Sequence, residues 1–471
     1  MMFNDNKRTI LLTLIVVALV LFAPLVSRWV LDQKTLPSEE TYYNLRMIDQ
    51  FKDQGVQDKD ILQNKKYDFN LFHFIFSKIN LDMQNIAKFL PAIMGVISLL
   101  ILYFLLKSIN IGQNDIFFTI IILATTPIFL YNFTTFSPEI IVFPIFLIGL
   151  LLFAKKNYLS ALFFGITALF NVMYVVIGLA LIVGAYLLKK RSRMLVGINV
   201  LIILLSIGCG ILIFHINYLT SFIPLISGLN GFLIEFGAIK GFALVTIGLA
   251  LIGLFSWWNK ESSKIAMLSA VLAFMVFALF FEGSRLPIAI LIAIFAAISI
   301  SYLAHREWEI FMLKGVTLLL ILCILVFSAV LTINFQINNI GDEKISAITY
   351  LSSAGVTEVI LSTERNGFII EYISGRSAYL DGNSYKFNDY EQRKDIANKI
   401  YYARNMNDLE SLLKKENITH IVVDQNMMSG EVWNGRYEGL LFFLENSDKF
   451  IKIFYDDEIQ IYRYLENDLN Q

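Results

Sequence analysis

Long runs of apolar residues recur along this chain as far as Asn334 and limit what it can fold into. The first run, Thr9–Ser27, contains no charged residue, and similar runs follow at short intervals. A helix that crosses the hydrocarbon core of a bilayer needs about 20 apolar residues. Only 16% of all residues are charged, against about 25% in soluble proteins. The sequence therefore predicts an integral membrane protein.

The apolar runs predict about eleven transmembrane helices. Asn157–Leu188 is too long for one span, and we split it near Asn171 into two short helices. Met194–Ile234 holds one span, followed by a segment around Pro224 and Gly228 that is either re-entrant or interfacial. The predicted spans are Thr9–Ser27, Phe89–Leu106, Ile116–Phe136, Ile140–Ala154, the two parts of Asn157–Leu188, one span in Met194–Ile234, Gly241–Trp258, Ile265–Phe281, Leu286–Ala304 and Gly315–Asn334.

The basic residues near the span ends predict the orientation. With eleven spans they all fall on one side, which is the cytoplasmic side by the positive-inside rule. They are Lys7, Arg8, Lys107, Lys155, Lys156, Lys189, Lys190, Arg191, Arg193, Lys260, Lys264, Arg306 and Lys314. We therefore expect a multi-pass plasma-membrane protein with a cytoplasmic N-terminus. The predicted membrane domain is 1–340, with its first outward loop at about 31–88, and an extracytoplasmic domain follows at 341–471.

The tail from residue 341 onwards alternates strand-like and helical patterns. This alternation predicts a small α/β domain after the helical bundle. The expected strands are Val356–Ser362, Phe368–Ile373, His420–Val423 and Glu458–Tyr464, and the expected helices are Asp389–Ala403, Asn407–Lys415 and Arg436–Asn446.

Charge and side-chain chemistry argue against several functions. The formal net charge is −1. This argues against a nucleic-acid-binding protein, which needs a basic surface. Cys209 and Cys323 both lie in apolar runs, where cysteine usually packs as a small apolar residue. The four histidines have no metal-ligand spacing.

Adjacent carboxylates, Glu39 and Glu40, follow the first span in the segment from Pro37 to Arg46. A carboxylate partly withdrawn from water has a raised pKa and can accept a proton from an acceptor hydroxyl or amide. The alternative is structural, because acidic residues also favour the N-terminus of a solvated helix.

Two further polar residues are predicted at outward ends of spans. Glu139 opens an otherwise uncharged helix after Pro138, so it is either a helix-terminal charge or a second carboxylate facing Glu40. Arg285 lies in the tight turn before Pro287. An interfacial arginine suits a bound phosphate, whereas the alternative is an ion pair with Glu282 or snorkelling to the headgroups.

The topology and the first-loop motif resemble the GT-C fold glycosyltransferases, which use polyprenyl-phosphate- or polyprenyl-pyrophosphate-linked sugars. The stretch from Glu40 to Arg46 is similar to the Asp-Pro-Tyr-Tyr-His-x-Arg motif of oligosaccharyltransferase catalytic subunits. Glu39-Glu40-Thr41 resembles the Asp-Glu pair of the aminoarabinose and protein O-mannosyltransferases. In the tail, the segments 374–379 and 417–424 look like the soluble domain of archaeal and bacterial members.

The sequence departs from the resembled motifs in two places. Glutamates stand where those proteins have aspartates, and the Trp-Trp-Asp acceptor motif is missing. Trp257-Trp258-Asn259 lies at the predicted cytoplasmic end of a span and is not that motif. These departures argue against N-glycosylation specifically and leave a general lipid-linked sugar transferase.

The resemblance implies transfer of a sugar from a polyprenyl-phosphate carrier to an extracytoplasmic acceptor, with a role for each candidate residue. Glu40, alone or with Glu39, is either the base or the group that orients the acceptor, and Glu139 assists. Carboxylates of Glu40 and Glu139 could hold Mg²⁺ or Mn²⁺, and metal dependence is left open. Arg285 binds the phosphate, while the predicted sugar or phosphate contacts are Tyr42, Tyr43 and Arg46.

Two other classes of protein compete with a transferase. A polytopic transporter would place ionisable residues deep within its spans, and here the spans are nearly free of charge. A non-catalytic protein that binds lipid or a partner would keep the fold without the reaction.

Overall fold

The computed structural model describes residues 6–55, 59–63, 67, 69–187, 192–212, 231–236, 240–258, 273–274, 276–309, 311–338, 340–353, 358–387, 389–435 and 438–465. The chain forms two compact units. The helical unit comprises Met1–Val30, Phe69–Phe72 and Leu81–Ile337, and the α/β unit comprises Leu31–Asp68, His73–Asn80 and Asn338–Gln471. The α/β unit thus takes in most of the first loop together with the tail.

Apolar helices make up the helical unit. Among the described residues, five helices are long and apolar enough to cross a membrane, and five more apolar helices are shorter. The helices are Asn6–Val30, Met83–Ser108, Gln113–Thr125, Pro127–Asn132, Glu139–Ala154, Ser160–Phe170, Val172–Leu187, Arg193–Leu212, Leu244–Trp258, Arg285–His305 and Phe311–Asn338.

The break predicted at Asn171 is present. The Asn171 N–H donates to the Thr167 carbonyl at the end of one helix, and its side-chain Oδ1 accepts from the Met173 N–H (2.9 Å) at the start of the next. One asparagine therefore ends one short helix and caps the next, because asparagine side chains readily form hydrogen bonds with nearby backbone groups.

The single helix predicted over Ile116–Phe136 is wrong. The structure has Gln113–Thr125 and then Pro127–Asn132, with Thr126 extended between them. Proline lacks an N–H and restricts the residue before it to extended conformations, so Pro127 starts a new helix instead of continuing the old one.

Parts of the predicted topology fall outside the described residues. These are Pro224, Gly228, most of the predicted span Ile265–Phe281, and the basic residues Lys189, Lys190, Arg191, Lys260 and Lys264.

A five-stranded sheet forms the centre of the α/β unit. Its strands are β1 (Val359–Leu361), β2 (Ser377–Ala378), β3 (Ile418–Asp424), β4 (Phe450–Tyr455) and β5 (Ile459–Tyr464), in the order β2-β1-β3-β5-β4. β1 pairs in parallel with β2 and β3, whereas β5 is antiparallel to β3 and β4. The helices of this unit are Glu39–Gln54, the last residues of Leu71–Ser77, Asp342–Tyr350, Glu364–Ser374, Tyr390–Tyr401, Met406–Lys415 and Leu440–Asn446.

The strand predicted over Phe368–Ile373 is wrong, because this segment lies in the helix Glu364–Ser374. The apolar run looks strand-like because the helix is buried on more than one face. The helix begins after Thr363, whose side chain makes no capping hydrogen bond, and Gly375 ends it in the left-handed region at φ 66°.

Candidate functional site

The paired carboxylates open the helix Glu39–Gln54. Ser38 is its N-cap residue, and the Ser38 Oγ accepts a hydrogen bond from the Glu40 N–H at 3.2 Å. Both glutamates are half-buried in the first turn, where backbone N–H groups favour negative charge. The helix-terminal role considered from the sequence is therefore present, and partial burial also suits a group that accepts a proton from a substrate.

A chain of hydrogen-bonded side chains reaches the main chain of Glu40. Asn44 Nδ2 donates to the Glu40 carbonyl (2.9 Å), Asn44 Oδ1 lies 2.7 Å from His73 Nε2, and His73 Nδ1 lies 2.6 Å from the Tyr67 hydroxyl. Because the Asn44 amide must present its NH₂ to that carbonyl, its oxygen faces His73. Neutral His73 then carries its proton on Nε2 and accepts from Tyr67.

No sequence pattern indicated this chain of hydrogen bonds. His73 was only one of four histidines without metal spacing. Its partner Asn44 is 29 residues away along the chain, too far for a local motif.

The two tyrosines of the motif contact the tail helix Glu364–Ser374. The ring centroid of Tyr42 lies 5.6 Å from that of Tyr372, and the ring centroid of Tyr43 lies 4.8 Å from that of Phe368. The Tyr42 hydroxyl accepts a hydrogen bond from the Leu36 N–H (3.0 Å). Burial raises the pKa of the Tyr43 hydroxyl, with the Arg46 charge acting in the opposite direction. Tyr43 therefore keeps its proton at neutral pH.

Arg46 lies between two buried carboxylates. Its Nη1 and Nη2 donate to the two Asp60 oxygens at 2.8 and 2.7 Å, and Nη2 lies 3.0 Å from Glu371 Oε2. Arg46, Asp60 and Glu371 are 7%, 1% and 1% exposed. Burial alone would lower the pKa of Arg46, but Glu371 and Asp60 outweigh it and raise the pKa further above its ordinary value.

Gln63 extends this cluster. Its Nε2 donates to the Ala378 carbonyl in β2 (2.6 Å) and to Glu371 Oε1. The first loop and the tail are thus joined by a buried polar network, defined here as the Arg46 cluster: Arg46, Asp60, Gln63 and Glu371. The role of Tyr42, Tyr43 and Arg46 in substrate binding stays a prediction.

Glu139 opens the helix Glu139–Ala154 of the helical unit, directly after Pro138, and is half-buried. Buried polar residues lie in the segment just before it. The Thr134 Oγ1 accepts from Gln336 Nε2, and the Gln336 carbonyl accepts from Arg28 Nη2. Arg28 also donates to the Ile337 carbonyl at 3.4 Å. No sequence pattern indicated Arg28 or Gln336, because these partners are 308 residues apart along the chain.

Arg285 begins the helix Arg285–His305 and is buried. Its Nε donates to the Ala278 carbonyl (3.1 Å) and its Nη1 to the Gly231 carbonyl (2.6 Å). Neighbouring Glu282 forms an ion pair with Lys240 (3.6 Å), and the Lys240 ammonium lies 4.8 Å from the centre of the Tyr131 ring. Lys240 lies in an apolar segment without a motif, so no sequence pattern indicated it.

The candidate residues therefore fall into two groups. Glu39, Glu40, Tyr42, Tyr43 and Arg46 share one helix of the α/β unit, whereas Glu139 and Arg285 each begin a helix of the helical unit. Within the described residues, no group of three or more His, Cys, Asp and Glu side chains could hold a metal ion. Metal binding by Glu40 and Glu139 stays a prediction, and no step below depends on it.

Solved structures show what this architecture resembles. AglB oligosaccharyltransferase from Archaeoglobus fulgidus aligns with 98% of this chain and 74% of its own at 13% identity and TM-score 0.54. ArnT from Cupriavidus metallidurans aligns over 97% and 98% at 11% identity and TM-score 0.53. The chain has the GT-C fold. It is therefore a multi-pass membrane protein, and the predicted fold class, a polytopic helical bundle with a C-terminal α/β domain, is confirmed.

A third GT-C structure, the arabinofuranosyltransferase AftD from Mycobacteria, aligns with 98% of this chain but 40% of its own, at 13% identity and TM-score 0.56. No protein-family model and no curated protein sequence matches the chain. At identities this low the likeness is one of fold.

Proposed function

We propose that this protein is a membrane glycosyltransferase that transfers a sugar from a polyprenyl-phosphate-linked donor to an extracytoplasmic acceptor. One observation carries the proposal. The GT-C fold extends over nearly all of this chain and nearly all of ArnT, whose structure contains undecaprenyl phosphate. The AglB structure likewise contains dolichol-phosphate, together with an inhibitory peptide.

The proposed location is the plasma membrane, and the proposed orientation places the N-terminus in the cytoplasm. The first loop and the tail are then outside, where the acceptor is. The basic residues near the span ends support this arrangement. The association of first-loop residues and tail in one compact unit agrees with it, because segments that pack together lie on the same side.

Glu40 is the proposed base. An acceptor hydroxyl or amide attacks the anomeric carbon of the donor sugar, and Glu40 takes the acceptor proton as the new bond forms. The bond from the anomeric carbon to the phosphate oxygen breaks, and the carrier leaves with its phosphate. Glu39 adds negative charge to the same helical turn, and Glu139 assists as a second carboxylate.

Arg285 is proposed to bind the carrier phosphate and to stabilise it as it leaves. Two main-chain carbonyls already fix its guanidinium, so little side-chain freedom is lost when an anion binds. Tyr42 and Tyr43 keep the sugar or phosphate contacts proposed from the resemblance, whereas the guanidinium of Arg46 is already occupied by the carboxylates of Asp60 and Glu371.

The proposal is tested by sugar transfer from radiolabelled polyprenyl-phosphate sugars in membranes. We expect Glu40→Gln to lower kcat about 10²- to 10⁴-fold, the usual contribution of a general base. Glu431→Gln is the matched control. It makes the same chemical change at a tail residue that pairs with Arg365 at 3.8 Å, a pair that is partly exposed.

Equal turnover by the native chain and Glu40→Gln would keep the transferase and reject Glu40 as its base. No turnover with any donor would instead favour a lipid-binding or transport protein with this fold.

A further inference from the structure

The Arg46 cluster has more negative than positive charge. One guanidinium faces the carboxylates of Asp60 and Glu371, and all three side chains are buried. A phosphate that approached Arg46 would meet two carboxylates already in place. The geometry therefore suits a fixed internal contact better than an anion-binding one.

The cluster is also placed to orient the motif helix. Arg46 lies less than two turns after Glu40 on the helix Glu39–Gln54. Its guanidinium reaches Glu371 on the tail helix Glu364–Ser374, beside the contacts of Tyr42 with Tyr372 and of Tyr43 with Phe368. The Tyr-Tyr-x-x-Arg part of the motif thus faces the tail helix along one side.

Asp60 fixes the other side of the cluster. Besides Arg46, its Oδ1 accepts hydrogen bonds from the N–H groups of Leu62 (3.1 Å) and Gln63 (3.4 Å). Gln63 in turn donates to the Ala378 carbonyl in β2 (2.6 Å). The first loop therefore contacts both the tail helix and the edge of the sheet through one connected set of hydrogen bonds.

We propose that Arg46 is a positioning residue, which uses Asp60 and Glu371 to set the orientation of the motif helix, and hence of Glu39 and Glu40, against the C-terminal α/β domain. The inference rests on the proposed function for its kinetic consequence. In this arrangement the tail contributes to catalysis indirectly, through the orientation of the motif helix. A small rotation of the helix would move the Glu40 carboxylate, and a displacement of about 1 Å can lower a rate on the order of a hundredfold.

The test uses Glu371→Gln and Arg46→Lys in the full chain, alone and combined, with Glu431→Gln as the control. Glu371→Gln keeps the shape and one acceptor oxygen but removes a charge, and Arg46→Lys keeps the charge but removes the bidentate fork. Two measurements are made on each variant. Hydrogen exchange reports the protection of residues 39–54, and transfer kinetics separate kcat from the donor KM.

We expect both variants to lose protection in residues 39–54 and to lower kcat about 10- to 100-fold at an unchanged donor KM. The double variant should be no worse than the worse single one, because the two residues act through one contact. Glu431→Gln should match the native chain in both measurements.

Three results would overturn the inference. The first is unchanged protection in Glu371→Gln, and the second is lost protection with an unchanged kcat. The third is a raised donor KM in Arg46→Lys with normal kinetics in Glu371→Gln, which is the result for direct phosphate binding by Arg46. If the native chain transfers no sugar, the exchange data still decide whether the cluster holds the helix, and only the proposed function fails.

Discussion

The two compact units each bury an arginine that the sequence singled out, and they satisfy it in different ways. Arg46 in the α/β unit lies between two carboxylates. Arg285 in the helical unit donates to the main-chain carbonyls of Ala278 and Gly231. Carboxylates cancel the charge of a guanidinium, whereas carbonyls are neutral dipoles that orient it. The first contact is suited to holding a structure together. The proposed role of Arg285 is that the second contact presents a charge to an anion.

The largest expected effect concerns stability and tests the first half of this contrast. Arg46→Met leaves Asp60 and Glu371 buried without their common cation, which costs about 3–5 kcal/mol. Arg285→Met leaves two carbonyls without these donors, which costs about 1–3 kcal/mol. Thermal unfolding of the purified chain should therefore give a larger fall in Tm for Arg46→Met. Equal shifts would mean that the two arginines are held by contacts of similar strength.

The next effect concerns donor binding and tests the proposed role of Arg285 in this contrast. A hydrogen bond to a charged group contributes about 1.5–3 kcal/mol, so Arg285→Gln should raise the donor KM about 10- to 100-fold. Arg285→Lys keeps the positive charge but lacks the paired donors of a guanidinium, so its donor KM should lie between those of the native chain and Arg285→Gln. Binding of unlabelled polyprenyl phosphate as a competitor provides the check. A donor KM that is the same in all three chains would remove Arg285 from the phosphate site.

A smaller effect is expected at the Glu40 end of the motif helix. Asn44→Leu removes the acceptor of His73 Nε2 and the donor to the Glu40 carbonyl, at a cost of about 1–3 kcal/mol for a buried polar group left unsatisfied. The exchange protection of residues 39–44 should fall more than that of residues 45–54. An even loss along the helix would show that the Asn44–His73–Tyr67 chain has no local effect.

The elements that could be predicted from the sequence are those with local signals. The apolar runs, the break at Asn171, the helix that begins at Glu139 and the strands β1, β3 and β5 all follow from composition and from residues near their ends. Strands β2 and β4 and the helix Asp342–Tyr350 were missed. The helix Glu364–Ser374 was mistaken for a strand, since burial on several faces hides its period.

The contacts that define the candidate site could not be predicted in the same way. Gln63 and its partner Glu371 are 308 residues apart, and Thr134 and Gln336 are 202 residues apart. The fold brings such residues together, and no periodicity or spacing in the sequence marks them as partners. The first-loop motif singled out residues that share the helix Glu39–Gln54, but nothing in it indicated that Tyr42, Tyr43 and Arg46 contact the tail.

The smallest expected effect compares the Arg46 cluster with a second buried ion pair of the α/β unit. Lys344 Nζ lies 3.1 Å from Asp424 Oδ2, which also accepts from Asn366 Nδ2 (3.1 Å), while Asp424 Oδ1 accepts from the Met427 N–H (3.0 Å). Burial alone would raise the pKa of Asp424, but Lys344 and these hydrogen bonds lower it below its ordinary value. As the pH falls, the unfolded chain then takes up the Asp424 proton before the folded chain does.

The stability that Asp424 contributes is thus complete above the unfolded Asp pKa of about 3.9 and is lost as the pH falls through the folded-state pKa. Asp424→Asn should flatten the acid side of the plot of Tm against pH and leave the plot near pH 7 parallel to that of the native chain. Arg46→Lys removes no carboxylate from the α/β unit and keeps the positive charge of the Arg46 cluster, so it serves as the comparison, and its acid limb should stay closer to that of the native chain. An unchanged acid limb in Asp424→Asn would assign the acid sensitivity of this unit to other carboxylates, with those of the Arg46 cluster next to be tested.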